Sequence, residues 1–295
     1  GLGGEFDATN VIQNPVASII TPISFDHKEY LGSSIKKIAA AKAGIIKKNI
    51  PTIISNQSPI VKRILDAKCL SNNSSVIWSA ERFTVSSSRK SIIQKLSKKS
   101  IEYPFPNLIG THQISNAMTA ISALTYLRVP KKHICEGLTS TYWPARLQEI
   151  NSGRLYELIK NYNINNKLWI DGGHNEDASI QLSKSVGFIN KKNLHIIFGS
   201  FKNKDHRSFL RNLVAVASSL SIVEIDNQPS SIIKKVAVSS AKEVGWQKIY
   251  PAHSIRDAIK YICSQDDKLA PQVSILICGS LYLAGQALKE NGVEI

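Results

Sequence analysis

Leu168-Trp169-Ile170-Asp171-Gly172-Gly173-His174-Asn175 decides the fold, because it joins a short apolar run to an acid, two glycines, a histidine and an asparagine. The apolar run, with Lys167 at its start, has the length and composition of a buried strand. The glycine-rich segment is then the turn from that strand's carboxyl end into a helix. The pattern recurs downstream, where residues 194–198 lead into Gly199-Ser200-Phe201-Lys202 and residues 273–277 lead towards Gly279-Ser280. With another strand over residues 221–225 and helical stretches between, this predicts an α/β domain built on a parallel, doubly wound sheet. Ligands of such sheets bind outside the carboxyl ends of the strands, so three strand ends predict one shared functional edge. Gly199 and Gly279 serve tight turns first of all. Asp171 and His174 are the functional candidates, since an acid at a strand tip accepts ribose hydroxyls and a neighbouring histidine contacts phosphate or substrate.

Upstream, residues 16–23 and 50–55 are short apolar runs flanking a helical pattern, which predicts a β-α-β unit. Residues 76–86 alternate well enough for extended structure, whereas residues 87–99, rich in Ser and Lys, predict an exposed loop or edge. Over residues 111–127, Ile114, Ala117, Ile121 and Leu124 recur at helical spacing behind a capping Thr111, predicting a long helix with one buried face. Pro144 ends any helix and pushes Trp143 towards extended backbone. We therefore expect two domains, residues 1–144 and residues 145–295.

Two candidates stand in the first domain. His27 lies at a strand end, and a lone histidine there is commonly a cap or surface residue, since a metal needs converging ligands. Lys42 falls on one helix face with Ile35, Ile38 and Ala39, which puts a lysine on the apolar stripe. Such a lysine snorkels, finds a carboxylate or loses its charge, and carbamylation would make it an anionic oxygen ligand suited to magnesium. By spacing alone, snorkelling is favoured.

Composition narrows the function classes. At 295 residues with 43% apolar content, the chain can fill two cores. No apolar run reaches the roughly 18 residues a membrane helix needs. Cys69, Cys135, Cys263 and Cys278 are far apart with no Cys-x-x-Cys spacing, which argues against zinc and disulfide frameworks and for a reducing cytoplasm. The net charge of +15 comes from scattered pairs such as Lys36-Lys37 and Lys191-Lys192, without interleaved aromatics for base stacking, so a generally basic surface is favoured over nucleic-acid binding. Gly1-Leu2-Gly3-Gly4 lacks the Gly-Lys-Ser/Thr ending of a P-loop, and no other segment supplies one.

The blocks taken together resemble the dihydrofolate synthase and folylpolyglutamate synthase family of the Mur-ligase superfamily. Gly1-Leu2-Gly3-Gly4 with Asp7-Ala8-Thr9-Asn10, Asp26-His27 with Leu31-Gly32, and Lys42-Ala43-Gly44-Ile45 follow one another in family order. They are continued by His112-Gln113 with Asn116-Ala117, Trp143-Pro144 with Arg146-Leu147-Gln148, Asp171-Gly172 with His174-Asn175, and Gly279-Ser280-Leu281-Tyr282. The resemblance implies the rest of a Mur-type central ATPase domain, without its P-loop part, followed by a Rossmann-like glutamate-ligase domain. It implies that His27 binds magnesium and that Lys42, carbamylated, helps hold a second magnesium. Asn116, Arg146 and Asp171 would hold ATP at the base, phosphates and nucleoside, while Phe6, Asp7 and Ala8 would border the pteridine and His174 would lie near the reacting groups. The implied activity is ATP-dependent ligation of glutamate to dihydropteroate or tetrahydrofolate through an acyl phosphate, by a cytoplasmic monomer with no nucleic-acid or membrane partner. The family's P-loop would precede Gly1, so an N-terminally truncated sequence is expected. An inactive remnant and a related Mur-type amide ligase are the alternatives. Ala145 stands where the family usually carries Gly, Glu5 where it carries Arg, Ala41 where an acid is common and Glu176 where it carries Pro.

Overall fold

The computed structural model describes residues 3–25, 28–32, 34–97, 99–187, 189–265 and 272–293. Its contacts divide the chain into two compact units, residues 1–107 with 111–142 and residues 108–110 with 143–295.

The first unit opens with a parallel three-stranded sheet in the order β1 (Ser18–Ile20), β2 (Thr52–Ile54), β3 (Val76–Trp78). Between β1 and β2 lie α1 (Lys28–Leu31) and α2 (Ile35–Ala43), and α3 (Pro59–Ser71) joins β2 to β3. Ser34 caps α2 by accepting a hydrogen bond from the Lys37 N–H, and Pro59 opens α3, where its missing N–H is no loss. Ile20, Ile38, Ala39, Ile54, Val61 and Leu65 form the core between helices and sheet.

Beyond β3 and a 3₁₀ turn at Ala80–Arg82, the chain forms an antiparallel meander of β4 (Phe83–Ser86), β5 (Ser91–Lys95) and β6 (Ser100–Pro104). Within the loop expected over residues 87–99, residues 91–95 form a central strand. Its Ser and Lys content hid a two-residue alternation in which Ile92 and Gln94 face inward. Ile92 and Tyr103 pack on Ala117 and Ile121 of α4 (Thr111–Tyr126), which α5 (Lys131–Ser140) follows with Ile134 and Leu138. The Thr119 hydroxyl of α4 lies 2.6 Å from the Ser55 hydroxyl and 3.1 Å from that of Ser79, so the polar groups at the ends of β2 and β3 are satisfied inside the unit.

The second unit is a six-stranded sheet in the order β11-β10-β9-β12-β8-β7. The strands are β7 (Gln148–Ile150), β8 (Lys167–Ile170), β9 (Leu194–Phe198), β10 (Ser219–Ile222), β11 (Ile249–Pro251) and β12 (Ser274–Cys278). All pairs are parallel except β7 with β8, so the sheet expected to be parallel carries one antiparallel edge strand. Helices α6 (Arg154–Lys160), α10 (Ile255–Ser264) and α11 (Leu281–Asn291) bury one face, and α7 (Glu176–Ser185), α8 (His206–Arg211) and α9 (Lys234–Glu243) the other. Every residue of central β12 is buried, as a strand covered on both faces requires. The strand expected over residues 221–225 begins and ends earlier. Val223 and Ile225 stay buried, but the Ile225 N–H is satisfied by the Ser231 hydroxyl at 2.8 Å, so the apolar run outlasts the ladder. Among the described residues no helix is long and apolar enough to cross a membrane.

Candidate functional site

In the second unit the carboxyl ends of β8, β9 and β12 carry the glycines and polar residues singled out by sequence. Gly279 has φ +112, and a side chain there would meet the Phe198 ring at 2.6 Å, so both backbone and space demand glycine. Its N–H donates to the Gly173 carbonyl at 3.0 Å, binding the β12 and β8 turns together.

Arg146 sits on an unusual turn. Ala145 and Leu147, both buried, have φ values of 57° and 44°, the left-handed region that residues with a Cβ rarely enter. Three hydrogen bonds hold them there. The Gly172 N–H donates to the Ala145 carbonyl at 2.8 Å, the Ala145 N–H to Gln148 Oε1 at 3.0 Å, and the Leu147 N–H to Asp171 Oδ2 at 2.8 Å. Arg146 is exposed between its two buried neighbours. The family's usual glycine at position 145 has its explanation in this φ value, and the alanine is accommodated at the cost of local strain.

Asp171 therefore orients the turn that carries Arg146. Its other oxygen, Oδ1, accepts the Gly173 N–H at 2.7 Å. Burial raises its pKa, opposed by the two backbone donors and the nearby Arg146 charge. Each oxygen uses one acceptor direction on the backbone and keeps another.

His174 follows on the same turn, with Nδ1 3.4 Å from the Gly172 carbonyl. It lines a cavity of about 490 Å³ with Phe201, Lys202, Lys204, Ser280 and Tyr282. The Phe201 and Tyr282 rings meet edge to face at 5.0 Å, and Lys202 Nζ donates to the Pro229 carbonyl at 2.9 Å. Helix α11 begins beside it, capped by the Ser280 hydroxyl, which accepts the Tyr282 N–H at 3.1 Å. Two lysines, a histidine and a helix amino end line the cavity, an arrangement that attracts anionic groups. Sequence reasoning passed over Lys204, although it adjoins a strand-end motif already noted, and quoted Tyr282 within a family block without giving it a role. Ser230, which also lines the cavity, comes from the loop after β10 and carries no local signal.

In the first unit, Gly3, Gly4, Asp7, Thr9, Thr21 and Lys42 surround a smaller cavity of about 200 Å³. Gly4 is there for close approach, since a side chain would stand 2.3 Å from the Lys42 carbonyl. Its N–H donates to the Ala41 carbonyl at 2.9 Å, fastening the opening segment to the end of α2. Ile38, Ala39 and Ala43 make the buried stripe, and Lys42 is half-buried at its edge in the last turn of α2, beside the cavity. The Thr9 hydroxyl and amide, at 2.6 and 2.9 Å, hold the Asp7 carboxyl down to about 2. Phe6 is 84% exposed, and Ala8 opens a short 3₁₀ turn. Asn116 stands on the exposed side of α4, its amide donating to Gln113 Oε1 at 3.0 Å.

The structure thus brings Asp7 to Lys42, and Arg146 to Asp171 with His174 on the following turn. His27, the expected magnesium ligand, lies outside the described residues. Among the described residues no three His, Cys, Asp or Glu side chains gather as a metal site, so the described donors do not by themselves fit magnesium.

Comparison with known proteins gives a consistent result. Residues 4–124 match the Mur ligase middle domain family and residues 155–290 match the family described as dihydrofolate synthetase, C-terminal domain. The dihydrofolate synthase/folylpolyglutamate synthase of Bacillus subtilis is 28% identical over 98% of this chain and 65% of its own length. The folylpolyglutamate synthase of Lacticaseibacillus casei is 27% identical over 96% of this chain and 64% of its own. The Mycobacterium tuberculosis folylpolyglutamate synthase, solved with ADP and AMPPCP, superposes with a TM-score of 0.83 at 26% identity, covering 100% of this chain and 67% of that one. The chain spans about two thirds of the length of these relatives.

Proposed function

Because this chain belongs to the dihydrofolate synthase and folylpolyglutamate synthase family of Mur ligases, we propose that it forms the larger part of an ATP-dependent glutamate ligase acting on dihydropteroate or tetrahydrofolate. The pterin substrate's carboxylate would take the terminal phosphoryl group of ATP, releasing ADP. The amino group of glutamate would then attack the acyl phosphate, forming the amide and releasing inorganic phosphate.

The observation that carries this reading is the locked turn of Arg146. Gln148 and Asp171 hold the backbone on either side of Arg146, so its guanidinium springs from a rigid turn when charge accumulates on the phosphoryl oxygens, which is when its field matters most. Asp171 keeps acceptor capacity for a ribose hydroxyl. Asn116 is assigned to the base, and Phe6, Asp7 and Ala8 to the pterin. We assign glutamate to the 490 Å³ cavity, where Lys202 and Lys204 offset its carboxylates and His174 takes the proton its ammonium must lose before attack. Magnesium would supply charge neutralisation at the phosphates, with His27 assigned to one ion and a carbamylated Lys42 to a second. The described donors beside Lys42 amount to one ionised carboxylate, Asp7, so the metal needs ligands beyond them. A cytoplasmic monomer is the state this reading assigns.

The test is a phosphate-release and product assay with ATP, magnesium, glutamate and either pterin. It is run on this chain and on a version lengthened upstream through whatever its gene encodes there. Turnover that needs both glutamate and pterin, and falls about 100-fold or more in Arg146→Ala, supports the ligase. Failure of both versions with both pterins overturns it in favour of an inactive remnant.

A further inference from the structure

A cationic hollow on the antiparallel meander of the first unit is lined by none of the residues assigned above. Arg82, Lys95, Leu96, Ser97 and Lys99 line a concavity of about 570 Å³. The strand register explains their convergence. Phe83 pairs with Gln94, so Arg82, the last residue of the 3₁₀ turn, and Lys95 each adjoin that pair in sequence, while Lys95 pairs with Ser100. Lys99 closes the β5–β6 hairpin, its carbonyl accepting the Leu96 N–H at 2.9 Å.

Like charges gathered around one concavity repel, and a fold ordinarily relieves this with a nearby carboxylate. The candidates here are engaged elsewhere. Glu81, beside Arg82 in sequence, lies 2.6 Å from Lys62 Nζ. Glu102, the one carboxylate on β4, β5 and β6, turns towards the Ser91 hydroxyl at 2.5 Å. Among the described residues no carboxylate forms an ion pair with Arg82, Lys95 or Lys99. Three cations thus line one hollow with no ion-paired carboxylate among the described residues.

We propose that this hollow is a second anion site, taking a small molecule with two or more phosphate groups. Phosphate suits it better than carboxylate, because each group brings up to about two charges and three acceptor oxygens. The planar guanidinium of Arg82 can grip one phosphate in a bidentate fashion, while Lys95 and Lys99 act as mobile point charges on the next. The volume is that of a small-molecule site. The site does not depend on the ligase reading.

The experiment is titration calorimetry of the full chain with inorganic tripolyphosphate at about 0.15 M salt, where screening over about 8 Å suppresses the diffuse field. All proteins carry Arg146→Ala, which removes the cation of the other unit's turn. The expected result is saturable one-to-one binding that weakens about tenfold or more when Arg82→Gln, Lys95→Gln and Lys99→Gln are combined. A control with Lys131→Gln, Lys191→Gln and Lys192→Gln, equally exposed and equal in charge, should bind as before. Equal weakening in the control, binding unchanged in the hollow variant, or no saturable binding each overturns the proposal. So does tighter, length-dependent binding of single-stranded RNA through the same residues, which would make the hollow part of a nucleic-acid surface. The substituted side chains are exposed, and matching circular dichroism melts check that all variants fold alike.

Discussion

Asp171 and His195 are the two residues at which environment most changes what the side chain does. Asp171, at the carboxyl end of β8, is a buried acid whose neighbours are backbone donors and Arg146, so its task is orientation. His195, at the opposite end of the same sheet, is mostly buried on β9, with Nδ1 2.7 Å from the Ser219 hydroxyl. Burial, reinforced by the Lys248 charge, pushes its pKa down to about 4. A histidine whose folded pKa is depressed contributes stability that is fully present above its unfolded value of about 6.5. That stability is lost as pH falls towards 4, because the unfolded chain binds the proton first. Urea denaturation between pH 7 and pH 4 should therefore show the protein losing up to about 3 kcal/mol more than a His195→Gln variant. Parallel pH profiles for the two would mean that His195 is solvated and titrates normally.

At the scale of the element, β5 is the sharpest case. Its flanks are Ser and Lys, yet Ile92 is fully buried against Phe83, Tyr103 and Ile121. Ile92→Ala should cost about 2–5 kcal/mol in chemical denaturation, the range for a large-to-small change in a packed core. A loss under about 0.5 kcal/mol would return the segment to an exposed loop. The Arg146 turn belongs to this scale too. Its two left-handed residues persist because bonds from Gly172, Gln148 and Asp171 over-determine them, so local strain is held by the tertiary neighbourhood.

For the whole molecule, two units with separate cores predict two separable unfolding events. Scanning calorimetry should resolve two transitions, the first unit's lowered by Ile92→Ala and the second unit's by Leu276→Ala in buried β12. A single transition displaced equally by both substitutions would show that the cores unfold as one. The net charge of +15 also acts at this scale, as a field that gathers anions before any particular residue touches them.

The repeated pattern of apolar strand, glycine turn and helix was legible because a strand buried on both faces is predominantly apolar, as β8, β9 and β12 are beyond Lys167, His195 and Ser274 near their starts. The long helix α4 was legible for the matching reason, a 3.6-residue period. Family motifs likewise singled out Arg146, Asp171, His174 and Lys42 as chemical residues. Tertiary structure alone decided what those residues touch. Whether Asp171 meets solvent or backbone depends on Leu147, 24 positions away, and whether Lys42 is buried depends on a cavity closed by residues from before β1. The antiparallel edge strand β7 and the central place of β5 follow from strand pairing. Pairing is set by long-range packing and register, which a one-dimensional period does not encode.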